Sequence, residues 1–106
     1  MVSILPGTLD VLILRAASHG PKHGYGMVQF IRESSGESFL VEEGALYQAL
    51  HRLERQGVLA SAWGSSENNR RAKFYELTPA GRRRLTAEKA EWRRYAVAMD
   101  RVLGFS

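Results

Sequence analysis

The sequence predicts a mainly α fold with a small β-hairpin, arranged as a winged helix-turn-helix plus a long C-terminal dimerisation helix. Three short segments with apolar residues at helical spacing come first, two strand-like segments then flank a polar, basic loop, and a run of about 25 residues without a helix breaker follows.

Leu9, Leu12, Ile13 and Ala16 share one helical face, with Thr8 as the expected N-cap and Gly20 as the stop, which sets the first helix at about Thr8 to Ser18. Gly20-Pro21-Lys22-His23-Gly24 cannot continue a helix; Met27, Val28 and Ile31 then resume the 3.6 period as far as Ser34-Ser35-Gly36. Phe39-Leu40-Val41 reads as a brief extended segment. The third helix starts near Glu42 and Glu43, where a positive helix N-terminus favours carboxylates, and Ala45, Leu46, Ala49, Leu50 and Leu53 form its apolar face up to Gly57. Val58 to Trp63 and Ala72 to Leu77 read as strands around the loop of residues 64–71. Thr78 is an N-cap with Pro79 at the first helical position, and the helix they open meets no breaker before Gly104, a length of roughly 37 Å. The domain division expected from this order is residues 1–78 for the winged helix-turn-helix and residues 79–106 for the dimerisation helix.

The 106 residues suit one compact module with a modest core. A hydrophobic content of 44% with 25% charged residues is that of a folded globular chain. Cysteine is absent, which excludes disulfide frameworks, thiolate catalysis and Cys-ligated zinc, and matches a cytoplasmic location. The longest apolar stretch, Val11 to Leu14, is far short of the roughly 20 residues that span a membrane, and the start has no signal-peptide pattern, so no membrane partner is expected.

The net charge of +4 suits an anionic partner, but residues 1–81 hold 8 basic and 8 acidic side chains while residues 82–106 hold 7 and 3. Local clusters must therefore carry any nucleic-acid reading. In a winged helix-turn-helix the third helix enters the major groove and needs a polar side opposite its core face; Tyr47, Gln48, His51, Arg52 and Arg55 supply one. Gly44 and Ala45 are small enough to let backbone approach DNA, Gln48 can pair with adenine edges, and Arg52 can reach guanine or phosphate. A merely solvated helix face would look the same in isolation. The loop adds Asn69, Arg70, Arg71 and Lys73 with no acid after Glu67, and such a tip can clamp phosphates or enter a minor groove. A charged hairpin tip can also serve solubility alone.

Three blocks, HGYGM at residues 23–27, GALYQALHRLERQGVLASAW at residues 44–63 and RRAKFYELTPAGRRRL at residues 70–85, resemble the PadR family of transcriptional regulators, over roughly residues 5–85 and in the right order. The resemblance implies a homodimer on a roughly palindromic double-stranded DNA operator, usually as a repressor, with Tyr25, Tyr47 and its neighbours on DNA and the wing cations on the backbone or minor groove. It also implies the short form of the family, with one C-terminal helix. The chain departs from the pattern at Gln48, where proline is expected in many members, and at Glu42-Glu43, which bring acid near the DNA face.

Leu85, Trp92 and Met99 fall seven apart on the last helix, with Ala96 and Leu103 each four further on, a seam suited to a partner helix and interrupted by Lys89. This stripe has no evident partner in its own domain, and Trp92 offers a flat wall for a small aromatic effector at the dimer centre. No cofactor or metal is expected: His19 and His23 straddle Gly20-Pro21, His51 stands alone, and Gly24-Tyr25-Gly26 lacks the third glycine and preceding strand of a dinucleotide fingerprint. No enzyme activity is expected either. The competing reading is a winged-helix protein-interaction module that never touches DNA; salt-dependent retention of DNA separates the two.

Overall fold

The computed structural model describes residues 1–105. Its elements run β1 (Val2–Ser3), α1 (Leu9–Ala17), α2 (Gly24–Ser34), β2 (Phe39–Leu40), α3 (Glu43–Arg55), β3 (Leu59–Ser65), β4 (Arg71–Leu77) and α4 (Pro79–Leu103). The mainly helical class, the hairpin and the long last helix are thus as expected. No helix among the described residues is long and apolar enough to cross a membrane.

The core lies where α1, α2 and α3 meet the base of the hairpin. Ile13, Leu14, Met27, Leu46, Leu50 and Leu53 are wholly buried there, and Val58, Leu59, Tyr75 and Leu77 close it from the hairpin side. Each such aliphatic side chain contributes about 1.5–3 kcal/mol of transfer free energy, which is why the apolar stripes predicted the helices.

Local ends differ from the sequence expectation in three places. Thr8 does not cap α1 with its side chain: its hydroxyl donates backwards to the Leu5 carbonyl at 2.7 Å, closing the turn that precedes the helix. β1 was not expected, because two residues pairing in parallel with β2, Val2 opposite Phe39 and Ser3 opposite Leu40, leave no periodicity to read. The hairpin ladder also continues to Ser65 opposite Arg71, so the loop shrinks to residues 66–70. Within it the Ser66 amide donates to the Arg70 carbonyl at 2.8 Å, and Asn69 takes the left-handed backbone (φ 58°) that an asparagine tolerates.

α4 opens as expected, with the Thr78 hydroxyl accepting from the Gly81 amide at 3.0 Å and donating to the Gly57 carbonyl at 2.7 Å. Gly81 is buried against the Val58 carbonyl, where a Cβ would collide with backbone and sit 2.9 Å from a Leu77 methyl. That close approach docks the first turns of α4 on the α3–β3 junction. Leu85, expected in the dimer seam, is consequently 7% exposed and part of this chain's own core. Between Thr86 and Phe105 all residues but Glu88 and Ala96 are exposed, and the later turns of α4 extend past the core. The radius of gyration of 14.7 Å, against about 13 Å for a compact chain of this size, records that projection.

Candidate nucleic-acid interface

At 100° per residue, Gly44, Gln48, His51 and Arg55 form one row along α3 opposite Leu46, Ala49, Leu50 and Leu53, and all four are exposed. Arg55, expected on the polar side of this helix, closes the row eleven residues after Gly44. A Cβ on Gly44 would meet nothing within 4 Å, so the chain's own packing does not require glycine there. Ala45 is exposed on the flank facing the N-terminal segment, where a shallow groove runs between Ile4, Leu5 and α3. Glu42 is the N-cap residue of α3 without a side-chain cap bond, and Glu43 lies in the first turn, so both acids border the N-terminal end of the row.

Tyr47 turns toward α2. Its ring lies over Gly24, where a Cβ would stand 2.6 Å from Cζ, so the glycine lets the tyrosine lie across the start of α2 while remaining 42% exposed. Tyr25 is exposed next to it in the chain's first block, stacked beside His23. His23 caps α2, accepting the Gly26 amide at Nδ1 (3.1 Å), so this histidine has a structural task that residue type alone did not disclose.

Arg52, expected to read DNA, is engaged within the chain in this arrangement. Its guanidinium donates to both carboxylate oxygens of Asp10 on α1, at 2.7 and 2.9 Å, and the pairing raises its pKa further. Arg84 of α4 reaches the same carboxylate at 3.4 Å and donates to Gln56 at 2.6 Å. Asp10 thereby joins α1, α3 and α4, and Arg52 serves that junction before any external contact.

The wing is anchored at its base. Lys22 and Tyr75 exchange backbone hydrogen bonds (3.0 and 2.8 Å), joining β4 to the α1–α2 connection. Burial pushes the Tyr75 hydroxyl pKa up and the Lys22 ammonium pKa down. The Ser61 hydroxyl donates to Glu54 at 2.6 Å and the Lys73 ammonium lies 3.2 Å from the same carboxylate; together they hold Glu54 below its ordinary pKa against the opposing effect of burial. Lys73 is therefore half committed to α3. Asn69, Arg70 and Arg71 are exposed around the tip, and neither arginine forms an ion pair among the described residues.

Farther away, Trp92 and Ala96 of α4 face Val2, Leu5, Val11, Leu12 and Phe39 across an apolar groove of about 820 Å³. Trp92 is 47% exposed and stacks on Tyr95, and Met99 and Leu103 continue the exposed apolar surface. Among the described residues no group of three metal-ligating side chains converges.

A family model described as the transcriptional regulator PadR-like family matches residues 13–87, from α1 into the first turns of α4. A transcriptional regulator of Mycobacterium tuberculosis is 38% identical over 77 residues, covering 73% of this chain and 68% of that protein. An uncharacterised protein of Lysinibacillus sphaericus is 32% identical over 84% of this chain and 82% of its own. Among solved structures, a PadR family transcription regulator from Clostridium difficile superposes with a TM-score of 0.79 at 31% identity, covering 92% of this chain and 99% of that one. A transcriptional regulator from Clostridium thermocellum gives a TM-score of 0.80 at 29% identity, with 90% and 92% covered.

Proposed function

The chain belongs to the PadR-like family of transcriptional regulators, and on that premise we propose that it is a sequence-specific repressor that binds a roughly palindromic duplex as a homodimer. The observation that carries this reading is the coexistence of a free polar row on α3 (Gly44, Gln48, His51, Arg55) with an unpaired pair of arginines at the wing tip. The row suits base edges in a major groove, and the wing suits the flanking phosphates. Residues 1–78 carry the DNA contacts in this reading. Tyr25, Tyr47, Ala45 and Asn69 frame them, with Lys73 as a secondary cation because Glu54 already engages it. The work is regulatory, cytoplasmic and non-enzymatic.

Residues 79–106 make the dimer. Trp92, Ala96, Met99 and Leu103 lie on a helix that projects from its own domain, and the apolar groove beside Trp92 gives a second copy of α4 a place to pack. Two such domains present their α3 helices to successive major grooves about 34 Å apart, which matches half-sites one helical turn apart. A flat aromatic effector bound against Trp92 would act on that spacing and release the operator.

Selection of duplexes from a random pool by the purified chain, followed by affinity measurements over a salt series, tests the reading. A recovered inverted repeat bound far more tightly than random duplex, with a steep salt slope, supports it. Absence of salt-dependent retention of any duplex overturns it in favour of a winged-helix module for protein partners.

A further inference from the structure

Trp63 is 61% exposed near the end of β3 and stands outside the hydrophobic core. The Arg71 guanidinium carbon lies 4.8 Å from the centre of its ring, so one face of the indole is covered by a cation from the neighbouring strand. In the hairpin register Ser61 faces Tyr75, Trp63 faces Lys73 and Ser65 faces Arg71. Side chains two apart on a strand share a face, so Trp63, Arg71, Lys73 and Ser61 all stand on one side of the hairpin.

That side is the one turned to the end of α3. Ser61 and Lys73 both contact Glu54 in the last turn of α3, and Trp63 and Arg71 are the next positions toward the tip. The indole and guanidinium thus continue the surface that begins with the Gly44–Arg55 row. Stacking on Trp63 leaves the edge donors of Arg71 available, and no acid among the described residues takes them up.

Resting on the DNA-binding reading above, we propose that Trp63 and Arg71 act as one composite contact for the duplex backbone beside the α3 site. The indole packs on a deoxyribose, and the guanidinium it orients takes the adjoining phosphate. The chemistry fits the target: a sugar offers an apolar C–H face next to a planar anion, and a stacked guanidinium offers both complements in one rigid unit. The contact is indifferent to base identity, and Trp63 becomes a positioning residue for Arg71 as well as a contact in its own right.

The test uses the full chain labelled with 5-fluorotryptophan, whose two fluorine resonances are assigned with Trp63→Phe, titrated with duplex while dye-labelled DNA anisotropy reports binding separately. The Trp63 resonance shifts in proportion to occupancy on both selected and random duplex. Trp63→Ala and Arg71→Ala each weaken binding to both duplexes by about tenfold, and the double variant loses little more than either single one. Trp63→Ala also flattens the salt slope by about 0.9, as loss of one phosphate contact requires, although it removes no charge. Trp63→Phe restores part of the affinity, and circular dichroism verifies that each variant keeps its fold. A Trp63 resonance unmoved at saturating DNA, or strictly additive losses, overturns the inference and leaves the DNA-binding reading standing. Failure of any duplex to bind overturns both.

Discussion

The guanidinium of Arg52 is clamped on the carboxylate of Asp10, 42 positions earlier in the chain, by two hydrogen bonds of 2.7 and 2.9 Å. The clamp fixes α3 against α1, and Arg84 extends it to α4 through the same carboxylate. Because the Arg52 side chain is 42% exposed, solvent screens the pair and its worth is modest. A double-mutant cycle with Asp10→Ala and Arg52→Ala is expected to yield a coupling of about 1 kcal/mol in urea unfolding. Arg52→Ala should weaken selected and random duplexes by similar factors, since it loosens the helix rather than removing a base contact. A loss confined to the selected duplex would assign Arg52 a base contact.

Gly81 and Gly44 give opposite outcomes for one substitution. Gly81→Ala drives a methyl into the Val58 carbonyl and is expected to cost about 1–3 kcal/mol of stability. Gly44→Ala adds a methyl into open space within α3 and should stabilise the fold by up to ~1 kcal/mol through helix propensity. The same methyl points outward from the row proposed to meet DNA, so affinity for the selected duplex should fall while the melting temperature rises. An unchanged affinity would mean that backbone approach at Gly44 is not used.

Glu54 gives the fold a pH dependence of known sign. Its pKa lies below the ordinary value of 4.5 because the Ser61 hydroxyl and the Lys73 ammonium favour the carboxylate. A depressed carboxylate adds stability that is fully present above pH 4.5 and disappears as the pH falls through the folded-state pKa. Glu54→Gln should therefore lose less stability than the parent between neutral and acid pH, and Ser61→Ala should share much of that flattening. Denaturant midpoints over a pH series check it; identical pH profiles would remove Glu54 from the account.

Short-range chemistry was the readable part of this fold. Apolar residues three and four apart marked α1 to α3, and Thr78-Pro79 with Gly104 bounded α4. Partnerships across the chain were not readable. Arg52 lies one turn from Gln48 on the polar side of α3, and only the arrival of Asp10 from another helix gives Arg52 a partner within the chain. Leu85 sits in register with Trp92 and Met99, so periodicity alone could not divide the stripe. The division follows from Gly81, which brings the first turns of α4 onto Val58 and leaves the later ones projecting. Trp63 read as an ordinary strand aromatic because its exposure and its Arg71 neighbour depend on the hairpin register.

Gln48 and Arg70 should separate sequence choice from charge-based affinity. Gln48 lies in the outward row of α3, where an amide can bond an adenine edge, so Gln48→Ala should cost roughly 1–3 kcal/mol on the selected duplex and little on random DNA. Arg70 stands at the exposed wing tip, and Arg70→Ala should weaken both duplexes alike and lower the salt slope by about 0.9. Equal losses from Gln48→Ala on both duplexes would reassign it to the backbone, and an unchanged slope in Arg70→Ala would free the tip from phosphate contact.

The proposed dimer is tested on the part of α4 beyond Leu85. Trp92 and Ala96 face the apolar groove, while Leu85 is committed to the core, so charges introduced at the former pair spare the core. The full chain carrying Trp92→Glu and Ala96→Glu is expected to sediment as a monomer with an unchanged helical spectrum. A monomer keeps one α3 row and one wing and retains weak binding to any duplex. It cannot occupy two half-sites about 34 Å apart, and so most of the affinity for a palindromic site should vanish. Binding to a single half-site should be unaffected, which distinguishes lost pairing from a damaged domain. A variant that stays dimeric would move the seam to other residues of α4, and a monomer with full affinity for the palindrome would remove the paired half-site mechanism.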